Sequence, residues 1–257
     1  MKFVAGIDVG TKSTKVVLLN EGHFSSVMCD NRAQPAGVAA QKALELALRE
    51  TNLGLKNVEY TVATGQGKQF VTFAPDRETD FVCLAKGIDF LLPSARTVID
   101  MGAKKCLAIK CQECKVENTA SSDRCAAGAG LYLEIIADIL GVPLDHMGAL
   151  SLKSKEHLEI ISTCGVFAES EVISLFHLRN KVEDILMGVF RGIAERTIPL
   201  ISQLGLEKDV ALTGGLAKNK GIVRAMEEAI GYEIVVPENP QIVPALGAAL
   251  IAQEKVR

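Results

Sequence analysis

Two Asp-x-Gly runs lie 92 positions apart, Asp8-Val9-Gly10-Thr11-Lys12 and Asp100-Met101-Gly102-Ala103-Lys104. Each follows a β-branched apolar stretch and ends in a small residue and a lysine. A glycine-bearing turn between two strands exposes backbone N–H groups. Around the first turn, the hydroxyls of Thr11, Ser13 and Thr14 and the ammonium groups of Lys12 and Lys15 add donors. Such a set can wrap a polyphosphate, and Asp8 at the strand end is placed to hold Mg2+ through water. An ordinary polar hairpin is the other reading of this run alone. A third glycine site, Leu212-Thr213-Gly214-Gly215, carries a strand into paired glycines that admit a ribose or a flat ring to the backbone. A plain tight turn is its alternative. A fourth, Pro244-Ala245-Leu246-Gly247-Ala248-Ala249, opens the last helix with small residues suited to close packing.

Seven cysteines form a second group. Cys125 and Cys164 each stand just before a helical stretch. A helix start lowers a thiol's pKa and suits a metal or an anionic cluster. Two such ligands are two short of a cubane's four, and a second chain on a twofold axis supplies the rest. Buried, inert thiols are the alternative for each taken alone. Cys106, Cys111 and Cys114 match the spacing of three plant-type ferredoxin ligands, but Cys111-Gln112-Glu113-Cys114 reads better as a two-residue hairpin with both thiols at its mouth. Cys83 reads as core packing, and the four histidines show no ligand spacing.

Positioning these residues takes alternating elements. Strands are expected at Phe3–Val9, Lys15–Leu19, Glu59–Ala63, Thr97–Met101, Cys106–Ile109, Val210–Leu212 and Ile234–Val236. Helices are expected at Pro35–Arg49, Phe81–Leu92, Leu131–Leu140, Val166–Phe176, Val182–Leu204, Ile222–Ile230 and Ala245–Gln253. The alternation means α/β architecture. The long-period echo of the Asp-x-Gly runs suggests two similar α/β lobes.

Composition narrows the classes. In 257 residues, 48% are hydrophobic and 23% charged, which is globular and not disordered. A net charge of −3 and no tryptophan exclude a generally basic nucleic-acid binder and a base-stacking platform. No apolar run is long enough to span a bilayer. The opening residues meet Asp8 too soon for a signal peptide, so a cytoplasmic location is expected, with its thiols reduced. No G-x-x-x-x-G-K-[ST] run exists, and Gly65-Gln66-Gly67 is followed by Phe70 where a dinucleotide fingerprint needs Gly or Ala.

In this order on strands, Asp8…Gly10, Asp100…Gly102 and Gly214-Gly215 resemble the acetate and sugar kinase, Hsp70 and actin superfamily. The resemblance covers the whole chain. It implies a duplicated two-lobed actin-like ATPase fold that clamps Mg2+ with ATP or ADP. The first phosphate loop would be Gly10, Thr11, Lys12, Ser13, Thr14 and Lys15. The second would be Gly102, Ala103 and Lys104, and the adenosine loop Gly214 and Gly215. Gly65 belongs to the same nucleotide-binding set, and Asp8 and Asp100 would be the catalytic carboxylates. The implied division is 1–95 for the first lobe, with helix 242–257 packing back on it, and 96–241 for the second, carrying the cluster cysteines.

The runs Asp123-Arg124-Cys125-Ala126-Ala127-Gly128 and Thr163-Cys164-Gly165-Val166-Phe167-Ala168-Glu169-Ser170-Glu171-Val172-Ile173 narrow this further. They look like the cluster loops of the activator ATPases of 2-hydroxyacyl-CoA dehydratases and ATP-dependent benzoyl-CoA reductases. The resemblance implies one oxygen-sensitive [4Fe-4S] cluster per dimer, with Cys125 and Cys164 as this chain's ligands. ATP hydrolysis would drive a low-potential electron into a partner CoA-ester dehydratase or reductase, with ferredoxin or flavodoxin as donor in anaerobic metabolism. One departure stands out. Activators of the homodimeric type carry Gly-Gly-Gln-Asp where this chain has Gly102-Ala103-Lys104-Lys105, so the groups that position water and metal are missing. The Gly-Ala form is similar to one of the two unlike ATPase subunits of benzoyl-CoA reductases. Homodimer, heterodimer and a non-hydrolysing, cluster-holding subunit therefore stay open. A small-molecule kinase of the same fold is the rival; it needs a catalytic base, for which only Asp123 offers itself between Gly102 and Cys125.

Overall fold

The computed structural model describes residues 2–31, 34–122, 130–160 and 165–256, with only the backbone of 165 and 166. The chain divides into two units. The first holds Met1–Ala95, Cys111–Glu117 and Gln241–Arg257; the second holds Arg96–Lys110 and Asn118–Pro240.

The first unit contains β1 (Phe3–Val9), β2 (Ser13–Asn20), β3 (His23–Asp30), α1 (Ala36–Glu50), β4 (Val58–Thr64), β5 (Asp76–Arg77), α2 (Asp80–Leu91) and α8 (Val243–Lys255). The sheet order is β3-β2-β1-β4-β5. Alternation along the strands sends two apolar sets to opposite faces. Ala5, Ile7, Val16 and Leu18 pack with α1 on one face. Val4, Val17, Leu19 and Val62 pack with Leu246 and Ala249 of α8 on the other. The small residues of α8 meet backbone directly: a Cβ on Gly6 would collide with the Ala245 carbonyl, and one on Gly247 with the Cys83 carbonyl.

The second unit contains β6 (Thr97–Met101), β7 (Cys106–Gln112), β8 (Lys115–Ser122), α3 (Gly130–Leu140), α4 (Leu144–Ser151), α5 (Gly165–His177), α6 (Val182–Leu204), β9 (Val210–Thr213), α7 (Lys220–Ile230) and β10 (Ile234–Val235). Its sheet order is β10-β9-β6-β7-β8. Read from the other edge, this repeats the first sheet strand for strand. The registers repeat as well. Asp8 pairs with Lys15 across an antiparallel hairpin and with Thr64 on a parallel neighbour. Asp100 pairs likewise with Leu107 and Thr213.

The strands that apolar periodicity does not reveal are β3 and β8, the outer strand of each sheet. Each has a single buried residue, Val27 in β3 and Ala120 in β8. The 111–114 hairpin differs from expectation by one residue. The strands run to Gln112 and from Lys115, so Glu113 and Cys114 form the turn, with φ of 50° and 62°. Positive φ at both central residues belongs to the turn whose twist suits a two-residue hairpin. Among the described residues no helix is long and apolar enough to cross a membrane.

Candidate nucleotide and cluster site

The first Asp-x-Gly loop is closed by its own backbone. The Gly10 amide donates to the Ser13 carbonyl at 3.1 Å. Asn31, from the end of β3, holds the loop from outside: its amide donates to the Lys12 carbonyl at 3.1 Å and its Nδ2 to the Gly10 carbonyl at 2.9 Å. No sequence signal marks Asn31, because its role exists only once β3 lies beside β2. Thr11 Oγ1 donates to Gln66 Oε1 at 2.8 Å. Thr11, Lys12 and Ser13 are half-buried, whereas Thr14 is fully buried and alternates with Val16 and Leu18 toward the α1 face. Its hydroxyl is thereby withdrawn from the accessible donors.

Lys15 Nζ donates to Asp8 Oδ2 at 3.1 Å, with both side chains largely buried. On the neighbouring strand, Thr64 leads into Gly65 at φ +87°. A Cβ at Gly65 would collide with Asp8 Oδ1, so glycine lets the turn close on the carboxylate. Asp80, at the start of α2, fixes this turn. Its Oδ1 accepts from the Gly65 amide at 3.0 Å and from Thr64 Oγ1 at 3.3 Å, with Lys68 Nζ at 3.9 Å.

The second unit repeats the plan. The Gly102 amide donates to the Lys105 carbonyl at 2.9 Å, matching Gly10 and Ser13. Thr213 Oγ1 donates to Asp100 Oδ1 at 2.8 Å. Gly214 follows at φ +85°, where a Cβ would collide with the Met101 carbonyl. Gly215 opens a 3-10 turn, Gly215–Lys218, and Asn219 then caps α7 through the amides of Gly221 and Ile222.

The second loop also reaches the cysteine region. The Gly130 amide donates to the Gly102 carbonyl at 3.0 Å and the Leu131 amide to the Ala103 carbonyl at 3.1 Å. The first turn of α3 therefore rests on the second Asp-x-Gly loop. Cys125 and Cys164 themselves lie outside the described residues. The helices behind them, α3 and α5, pack on each other. Between them sits Tyr132, 3% exposed, with the Arg196 guanidinium carbon 5.8 Å from its ring centre and the fields of Glu171 and Glu169 acting on it. The Tyr132 hydroxyl is buried without a hydrogen-bond partner among the described residues. Two helix starts converging on an unsatisfied donor fit a sulfur-rich anionic group held by Cys125 and Cys164.

The run toward Cys164 is held along α6. Asp184 Oδ1 accepts from Ser154 Oγ at 2.8 Å, the Lys155 amide at 2.7 Å and the Glu156 amide at 3.0 Å. One and two turns on, Gly188 and Gly192 leave room for the carbonyls of Leu158 and Ile160.

The other cysteines do not gather. Burial pushes the thiols of Cys83 and Cys106 up to about 12. Cys114 is pushed up to about 11 by burial and by its bond to Asp89 Oδ2 at 3.1 Å. Among the described residues no three His, Cys, Asp or Glu side chains are grouped to hold a metal.

Comparison with known proteins agrees with this geometry. The chain is 40% identical over 253 residues to the activator of lactoyl-CoA dehydratase of Anaerotignum propionicum, covering 98% of each chain. It is 32% identical to a benzoyl-CoA reductase polypeptide of Thauera aromatica, over 97% of this chain and 93% of that one. The crystal structure of the Acidaminococcus fermentans (R)-2-hydroxyglutaryl-CoA dehydratase component A superposes with a TM-score of 0.95 at 34% identity, covering 99% of both chains. The fold is the duplicated actin-like ATPase fold. The family model described as the BadF/BadG/BcrA/BcrD ATPase family matches residues 5–252, and the chain belongs to that family.

Proposed function

We propose that the chain is an ATP-dependent electron activase. In this reading Gly10–Lys15, Gly65, Gly102–Lys104 and Gly214-Gly215 bind Mg2+ with ATP or ADP, and Asp8 and Asp100 hold the metal and its water. Cys125 and Cys164 supply two of the four ligands of a [4Fe-4S] cluster, and a second subunit supplies the other two. When bound, the cluster supplies a low-potential one-electron carrier, refilled by ferredoxin or flavodoxin and discharged into a CoA-ester dehydratase or reductase. The relatives' names support that class of partner.

One observation carries the reading: the first turn of α3 donates to the carbonyls of Gly102 and Ala103. A loop that senses phosphate is thus bonded to the helix that follows Cys125. Such coupling performs work only if one arrangement of the loop and helix binds ATP better than the other. Lys104 and Lys105 stand where homodimeric activators have Gln and Asp, so a cluster-holding subunit of a heterodimer, with slow hydrolysis of its own, is the second reading. The benzoyl-CoA reductase relative favours it.

The test is anaerobic purification with an iron count and a visible spectrum. Wild type should hold about four irons per dimer, as one cubane requires. Cys125→Ala and Cys164→Ala should hold none, and Cys111→Ala should match wild type. Equal iron in wild type and Cys125→Ala refutes the proposal. A colourless protein that phosphorylates a sugar replaces it with the kinase reading.

A further inference from the structure

Tyr132 is the third residue of α3 and lies in the core of the second unit. Aromatic side chains on a helix lean toward its N-terminus and cover the turn before their own Cα. For Tyr132, that direction is the run containing Cys125. The first turns of α5, which follow Cys164, bring Glu169 and Glu171 to bear on the same ring, and Arg196 of α6 closes the third side. A buried phenol normally finds an acceptor. This one has none among the described residues.

We propose, building on the cluster reading above, that the Tyr132 hydroxyl donates a hydrogen bond to a sulfur of the cluster held by Cys125 and Cys164, and so raises that cluster's reduction potential. Thiolate and sulfide sulfurs are acceptors. A donor aimed at them favours the reduced, more negative state. Burial pushes the phenol up to about 12, which keeps its proton in place at any working pH. Tyr132 is a positioning and tuning residue, not a ligand.

Tyr132→Phe removes one oxygen and keeps the ring packed between α3, α5 and α6. Iron content and Mg·ATP affinity should equal those of wild type. The midpoint potential, read by titration with electron paramagnetic resonance, should move to more negative values. An exchangeable proton coupled to the reduced cluster, seen by double resonance after exchange into D2O, should be lost. Replacing tyrosine by 3-fluorotyrosine makes the phenol a stronger donor and should move the potential the other way. Unchanged potential and proton coupling in an iron-loaded Tyr132→Phe protein overturn the proposal and leave the cluster reading intact. A shift without loss of the coupled proton also overturns it, because the effect is then electrostatic. A wild-type chain that takes up no iron overturns the cluster reading and this proposal with it.

Discussion

The Lys15 ammonium donates to the Asp8 carboxylate at 3.1 Å across a hairpin, with 14% and 10% of the two side chains exposed. Removing one member of a buried pair leaves the other charge uncompensated. Lys15→Ala should lower stability by about 2 kcal/mol, discounted from the full buried-pair range for the residual exposure. Asp8→Asn/Lys15→Ala should recover part of that loss. Urea denaturation of the two singles and the double checks it; strictly additive losses would show that the pair is not coupled.

Gly65 and Gly214 occupy equivalent turns at φ +87° and +85°. Alanine at either needs a left-handed backbone and pushes on an oxygen, the Asp8 carboxylate for Gly65 and the Met101 carbonyl for Gly214. Each substitution should cost about 2 kcal/mol or more. They should differ in kind. Backbone at Met101 cannot move aside, so Gly214→Ala should fall mainly on the melting temperature. The Asp8 side chain can rotate, so Gly65→Ala should fall mainly on Mg·ATP affinity. Calorimetry beside thermal melts separates the two effects.

Asp184 carries a pH signature. Burial alone would raise its pKa, but the Glu156 and Lys155 amides and the Ser154 hydroxyl outweigh this and hold it below the ordinary carboxylate value. A depressed folded pKa contributes stability that is present above the unfolded value, near pH 4, and is lost as pH falls through the folded value. Asp184→Ala should therefore destabilise the chain by about 2 kcal/mol at neutral pH. The difference from wild type should vanish in acid below about pH 4. Denaturation midpoints across pH 2 to 7, roughly the span of carboxylate titration, measure it.

Nucleotide binding and turnover should separate. The backbone donors around Gly10 and Gly102 are formed, but Lys104 and Lys105 offer no carboxamide to orient water. Mg·ATP and Mg·ADP should bind in calorimetry, and ATP turnover by the isolated chain should be slow and rise with a partner subunit. No binding at millimolar nucleotide contradicts the assigned loops. Fast hydrolysis shows the lysines to be no impediment.

Asp8, Gly10, Asp100 and Gly102 are visible in the sequence because each carries a requirement of its own residue type, and the α/β alternation is visible because the central strands are buried on both faces. Residues whose role is created by folding are not visible. Asn31 clamps the first loop only when β3 has paired with β2. Asp80 looks like a helix-starting acid until its contact with the Gly65 amide is seen. β3 and β8 escape because an outer strand with one buried residue has no apolar period. The Glu113–Cys114 turn escapes because neither residue is the Asn-Gly type that announces positive φ.

The contacts of Gly6 and Gly247 place α8 against β1 and α2, so the first unit is completed by residues that follow the whole second unit in the chain. In the order of synthesis the first unit waits. Until Gln241–Arg257 emerges, one face of its sheet, including Val4, Val17, Leu19 and Val62, has no cover. The second unit lies between and has its own core. A ribosome therefore delivers a foldable insert before it delivers the piece that finishes the host, and a chain stopped before α8 exposes an apolar sheet face to whatever chaperone or neighbour is at hand.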